Sequence, residues 1–217
     1  MSTTYLQAVN DVLLRLREST VTTVALTSYS QLIGKFVNDA KRQVEDAYNW
    51  NALRQTVSVN TVAGTSNYTL TGVGQKFRVE EVTNNTSFVT MSNLDGGTMY
   101  RYLNFGTSPQ SSPTHYAFSG VSTGGDTKVD IWPVPDGVYA LKFNLFVATA
   151  DLSNDSDTLT LAEPVIIQLA YARGLVERGE DGGLSSSEAY ALGRAMLSDY
   201  IAMEGNNFIE NQMFVAV

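Results

Sequence analysis

The chain contains no cysteine, which excludes disulfide frameworks and thiolate metal sites together. It has a single histidine, His115, and a metal site built on it would need Asp or Glu partners that the sequence does not place beside it. Positive charge is scarce: 14 Lys+Arg stand against 22 Asp+Glu, a formal net charge of −8. Wrapping nucleic acid tightly requires a basic surface that displaces counterions, and this balance argues against it. An acidic surface instead repels DNA, as that of an ordinary soluble protein also would. No run approaches the roughly 18–20 uninterrupted apolar residues that a spanning helix needs. The opening stretch through Glu18 has no basic segment followed by an apolar run, so no signal peptide is expected. The expectation is a soluble protein, made where it works. Hydrophobic residues nevertheless form 43% of the chain, ample for a core.

What is present falls into three parts. Residues 1–52 read as the first half of a helical domain. From Tyr5, the apolar residues Leu6, Val9, Leu13 and Leu16 recur at three- and four-residue steps, with Val12 widening the stripe. Thr20–Thr27 is β-branched and reads as a connector. Ser28 or Ser30 is positioned to cap a second helix, with a stripe of Ile33, Phe36, Ala40, Val44 and Ala47. Lys35, Asp39, Lys41, Arg42, Glu45 and Asp46 read as its solvated face.

Residues 53–150 read as a β-rich insertion, where helix formers thin out. Val57 and Val59 alternate with polar neighbours, turn at Ala63-Gly64 and resume at Tyr68 and Leu70, predicting a hairpin. Five further short strands follow. Asn84-Asn85 breaks the first pair and Pro133–Gly137 turns the last. Their spacing predicts an antiparallel sheet or sandwich. Residues 151–205 return to helix, with Pro164 in a first turn, a stop at Gly179, and a last helix with Leu192, Met196 and Tyr200 along one face. Residues 206–217 are apolar yet too short to form a core, and read as an extended C-terminal arm. The predicted fold is α+β: a four-helix bundle with an antiparallel β-domain inserted between the second and third helices.

Catalytic signals fail individually. Gly120-Val121-Ser122-Thr123-Gly124 matches G-x-S-x-G, but a nucleophile elbow needs a following helix and a downstream histidine. Here a strand follows and His115 lies upstream. Gly72-Val73-Gly74 opens no helix and lacks the third glycine of a dinucleotide fingerprint. Asp151, Asn154, Asp155 and Asp157 lack the spacing, central glycine and terminal Glu of an EF-hand and read as a solvated loop. No catalytic residue, metal site or cofactor is expected.

The opening Leu6-Gln7-Ala8-Val9-Asn10-Asp11-Val12-Leu13 leads through a Val-rich connector to a second helix that ends in Tyr48-Asn49-Trp50-Asn51. Further on come Tyr116, the stretch Ile131–Tyr139, a strand through Phe146, an acidic loop and the helical Leu169-Ala170-Tyr171-Ala172. This order resembles the tail tubular protein A family, the head-to-tail adaptors of short-tailed bacteriophages. The resemblance implies a virion protein of the tail or neck, made in the host bacterial cytoplasm, that assembles without turnover. It implies a twelve-subunit ring between the portal protein above and the tail nozzle or tube protein below. Double-stranded DNA would pass through the lumen without sequence-specific binding, and no membrane is involved. On that footing Phe208, Ile209, Met213, Phe214 and Val215 of the arm are candidate portal contacts. Asp39, Glu45, Asp46, Glu188 and Asp199 are candidates for the channel lining.

Two other classes compete. A β-sandwich that binds a receptor or carbohydrate, carried on a helical stalk, would show exposed aromatics such as Trp132. A serine hydrolase would bring Ser122 to His115.

Overall fold

The computed structural model describes residues 3–106, 108–179 and 184–206. The chain forms two compact units, Met1–Ala52 with Thr149–Val217, and Leu53–Ala148.

In the first unit, α1 (Tyr5–Arg15) starts from a reciprocal cap. The Thr4 hydroxyl accepts from the Gln7 N–H, and the Gln7 side chain accepts from the Thr4 N–H. α1 buries Tyr5, Ala8, Val9, Val12 and Leu13, with Leu16 buried at its end. The connector carries one 3-10 turn, Val24–Leu26. α2 (Ser28–Ala47) is capped by Thr27, not by Ser28 or Ser30; Ser30 closes the box by accepting from the Thr27 N–H.

Chain order then passes through the second unit and its short α3 (Gly96–Asn104), returning as α4 (Glu163–Arg178) and α5 (Leu184–Gly205). Pro164 occupies the first turn of α4, and Gly179 ends it in the left-handed region at φ 63°. α4 packs against α1, α2 and α5. A helix touched on so many sides must be apolar almost all round, and Val165, Ile166, Ile167, Leu169, Ala170 and Ala172 are all buried.

Three readings of the helices are corrected. On α2 the buried line is Ile33, Val37, Ala40 and Val44, while Phe36 is half-buried and Ala47 exposed. Lys41 and Glu45, read as solvated, are buried as an ion pair. On α5 the line facing inward is Ser186, Ala189 and Gly193, whereas Leu192 is 54% exposed. Small residues win there because α4 presents Leu169, and a Cβ on Gly193 would stand 2.7 Å from Leu169 Cδ2.

The second unit contains β1 (Arg54–Asn60), β2 (Asn67–Thr69), β3 (Phe77–Asn84), β4 (Val89–Thr90), β5 (Ser92–Asn93), β6 (His115–Val121), β7 (Thr127–Trp132) and β8 (Ala140–Val147). They form two four-stranded sheets, ordered β1-β8-β3-β4 and β2-β7-β6-β5. All pairings are antiparallel except the short β5–β6 pair. The inner faces share one core, with Val82, Leu141, Phe143 and Leu145 from one sheet and Tyr116, Val129 and Ile131 from the other.

The predicted hairpin between β1 and β2 does not form, since the two strands belong to different sheets. β1 pairs instead with β8 along its whole length, from Arg54↔Phe146 to Asn60↔Ala140. The connection at 61–66 is too long for a two-residue turn, and Thr61 is tied to the opposite loop by hydrogen bonds with Gly137 and Tyr139. Pro133–Gly137 likewise joins β7 to β8 across the two sheets rather than turning a hairpin. α3 was not expected from sequence. Asp95 caps it by accepting from the Thr98 N–H, but the Gly96-Gly97 that follows hides the signal. The helix packs on β6 and β7. Alternation points Ala117 away from the core, yet Ala117 is buried, as cover by α3 requires.

Candidate interaction surfaces

The polar side of α2 grips the returning chain. Asn38 Nδ2 donates to the Leu152 carbonyl at 3.0 Å, and Asn38 Oδ1 accepts from the Leu152 N–H at 2.9 Å, as a strand neighbour would. Lys41 Nζ donates to the carbonyls of Thr149 and Ala150 at 3.0 and 2.9 Å and lies 3.1 Å from Glu45 Oε1. The Thr149 hydroxyl donates to Glu45 at 2.5 Å. Every charge on this buried face has a partner, which is the condition for burying one at all. Arg42 pairs with Asp39 and Asp151 at the exposed margin.

Among the predicted lining residues, Glu45 is therefore corrected: its side chain is 2% exposed and faces no solvent-filled channel. Asp39, Asp46, Glu188 and Asp199 are exposed. The arm residues Phe208, Ile209, Met213, Phe214 and Val215 lie outside the described residues.

The acidic loop is committed to protein donors. The Asp157 carboxylate accepts from the N–H groups of Ser153 and Asn154, both at 2.8 Å. Asp155 Oδ1 accepts from the Val24 N–H at 3.0 Å. Backbone carbonyls of Asp157 and Asp155 accept from the N–H groups of Tyr5 and Leu6, two of the donors that the first turn of α1 leaves free. A side-chain hydrogen bond from Thr23, and then the Val24 N–H, hold the Asp155 carboxyl below its ordinary pKa. The Asn154 and Ser153 N–H groups do the same for Asp157. Among the described residues no cluster of three or more His, Asp or Glu is placed to hold a metal ion.

Neither catalytic candidate is assembled. Ser122 sits in the β6–β7 turn, where its Oγ accepts from the Asp126 N–H and its carbonyl from the Gly125 N–H. His115 opens β6, so the seven-residue strand holds the two about 20 Å apart. Trp132 stacks beneath Tyr102, ring centroids 4.7 Å apart, with His115 against its edge at 5.5 Å. It is a packing residue, not an open aromatic platform.

One surface escaped the sequence reading. At the end of the sandwich remote from where the chain enters β1 and leaves β8, the turn at 85–88 and the loops 61–66, 109–113 and 133–139 are laced together. The Asn84 side chain, fully buried, accepts from the N–H groups of Thr86 and Ser87 and donates to Ser112 and the Pro113 carbonyl. The Asn85 N–H donates to the Ala140 carbonyl, and Thr86 Oγ1 accepts from the Ala140 N–H. On this frame stand Phe88, Val138 and Val62, exposed by 90%, 70% and 60%. Asn84-Asn85 signals a turn in sequence, but nothing there says that the phenylalanine after it points outward.

Among the described residues no helix is long and apolar enough to cross a membrane. No curated protein matches the sequence. A family model described as SU10 adaptor protein matches residues 3–209, nearly the whole chain. The chain thus belongs to the SU10 adaptor family, structural adaptor proteins of the bacteriophage head-to-tail junction.

Proposed function

We propose that this protein, akin to tail tubular protein A, forms a ring of twelve subunits between portal and tail nozzle and extends the DNA channel. The observation that carries the reading is the family match over residues 3–209. The architecture supports it. A helical unit built from both ends of the chain, with the β-rich unit as one continuous stretch between them, suits a four-helix bundle carrying an inserted β-domain. The arm residues Phe208, Ile209, Met213, Phe214 and Val215 are proposed to bind the portal, and Asp39, Asp46, Glu188 and Asp199 to line the lumen. An acidic lumen lets the duplex pass, because a basic wall would hold it.

The test is light scattering on the purified chain with and without portal. One subunit mass alone and a ring-sized complex with portal are expected. A chain that ignores portal sinks the proposal.

A further inference from the structure

We propose that the hollow between the end of α1, the last turns of α4 and the start of α5 is a binding site for a phosphate group. This site goes beyond the adaptor reading and does not depend on ring formation. The hollow has a volume of about 220 Å³, and Arg15, Arg17 and Arg178 line it together with Tyr171 and Ser185. No Asp or Glu forms part of its wall. In a chain with 14 Lys+Arg against 22 Asp+Glu, three arginines around one hollow without an acid invert the charge balance locally. Like charges held together cost free energy unless an anion joins them.

Two of the three guanidinium groups are set in place by packed neighbours. Arg15 donates to Gln168 Oε1 at 2.7 Å, and the buried Gln168 is itself fixed by donating to the Ala189 carbonyl at 3.1 Å. Arg178 donates to the Tyr29 hydroxyl at 3.0 Å and to the Leu16 carbonyl at 2.8 Å, and pairs with Glu18. A guanidinium has five N–H donors, so both arginines keep donors free. Donors already in position lower the cost of binding, because the ligand need not order them. Arg17 departs furthest from what folding asks for. It ends α1 at φ 60° with its N–H bonded to the Leu14 carbonyl at 3.0 Å, a place that glycine fills most easily. Among the described residues none pairs with its guanidinium.

Helix dipoles give a competing account. Arg15 and Arg178 lie in last turns, where the partial negative charge of a helix end favours a cation. That explains their sign, but neither Arg17, which lies beyond the helix, nor the meeting of all three at one hollow. Size and charge then select the ligand. About 220 Å³ is below the roughly 300–1,000 Å³ of sites that enclose a drug-sized molecule, so a single group fits rather than a whole nucleotide. Glu18 offsets one of the three positive charges and leaves two. A phosphate group carries about 1.5–2 negative charges at neutral pH and accepts several hydrogen bonds, whereas a carboxylate carries one charge. The hydroxyls of Tyr171 and Ser185 supply further donors.

The test is calorimetric titration of the full-length chain with inorganic phosphate at constant ionic strength. Saturable binding at one site is expected, with acetate weaker by about tenfold or more. Arg17→Gly should weaken phosphate binding by about tenfold or more, yet unfold no earlier than the parent, since glycine takes a positive φ without strain. Arg15→Gln should weaken binding too. Arg101→Ala, which removes the same charge in the other unit, should leave it unchanged. A duplex oligonucleotide, titrated in parallel, identifies the source of the group. Duplex binding that Arg17→Gly abolishes assigns the group to nucleic acid, and binding of inorganic phosphate alone assigns it to the free ion. Absence of saturable phosphate binding would overturn the proposal. So would full affinity in Arg17→Gly, or acetate binding equal to that of phosphate, since the arginines would then serve the helix ends alone.

Discussion

Gly193 marks where α5 has no room for a side chain against α4. A Cβ there would meet Leu169 Cδ2 at 2.7 Å and Cγ at 3.2 Å, and Leu169 is fully buried, so it cannot swing aside. Alanine is the better helix former by about 1 kcal/mol, but overpacking a filled site costs about 1–3 kcal/mol. Gly193→Ala should therefore destabilise the helical unit by up to about 2 kcal/mol, read as a lower midpoint in denaturant followed by helical circular dichroism. A neutral or stabilising result would show that Leu169 has slack. The Lys41–Glu45 pair makes a sharper case. Lys41→Met strands the Glu45 carboxylate and two backbone carbonyls, and should cost about 3–5 kcal/mol. Lys41→Met with Glu45→Leu should cost less than the sum of the two single changes, because the second removes the charge that the first left unpaired. Additive single costs would mean the two side chains do not act as a pair.

Among the elements, the loop between β8 and α4 carries two acid-sensitive carboxylates. Asp155 and Asp157 both have folded-state pKa values below the ordinary 3.8, through hydrogen bonds their carboxylates accept. A depressed carboxyl stabilises fully above its unfolded value, and that stability is lost as pH falls through the lower folded value. Amide exchange at Val24, Ser153 and Asn154 should therefore accelerate below pH 3.8, while core strands such as β8 stay protected. Asp157→Asn should remove the acid step at Ser153 and Asn154, since an amide keeps an acceptor oxygen but does not titrate. Persistent protection of all three amides under full protonation would show that backbone packing, not the carboxylates, holds the loop. This loop was legible in sequence as acidic and polar. Its role was not, because the groups it satisfies, at Tyr5, Leu6 and Val24, lie about 130–150 residues earlier in the chain.

At the scale of the whole molecule, each unit encloses its own core, one around α4 and one between the two sheets, so the chain is expected to fold without a partner. Lateral contacts between subunits are then expected to be modest and weak in dilute solution. On the proposed function, a portal presenting many docking sites would raise the local concentration of neighbours to roughly millimolar, enough for weak contacts to close the proposed ring. Rings assembled by the chain alone at micromolar concentration, seen by mass photometry, would defeat this templating argument. Removing residues 206–217 should leave the thermal midpoint nearly unchanged and abolish incorporation into particles. Loss of folding on removal would assign that segment to the core instead.

The sequence by itself determined the alternation of helical and β-rich stretches, the first-turn place of Pro164 and the stop at Gly179. Each of these depends on neighbours within a few residues: periodicity, a proline's missing N–H, a glycine's positive φ. Only the tertiary structure decided which strands pair. The choice of β8 over β2 as the partner of β1 depends on a register between residues some 80–90 positions apart. It also decided that Lys41 and Glu45 are buried while Leu192 is not. Charge and hydrophobicity set the cost of burying a side chain, but whether the cost is met depends on what arrives from elsewhere, here Thr149 and Ala150 for the ion pair. On α5, close packing against Leu169 favoured the smallest side chains over the most apolar ones.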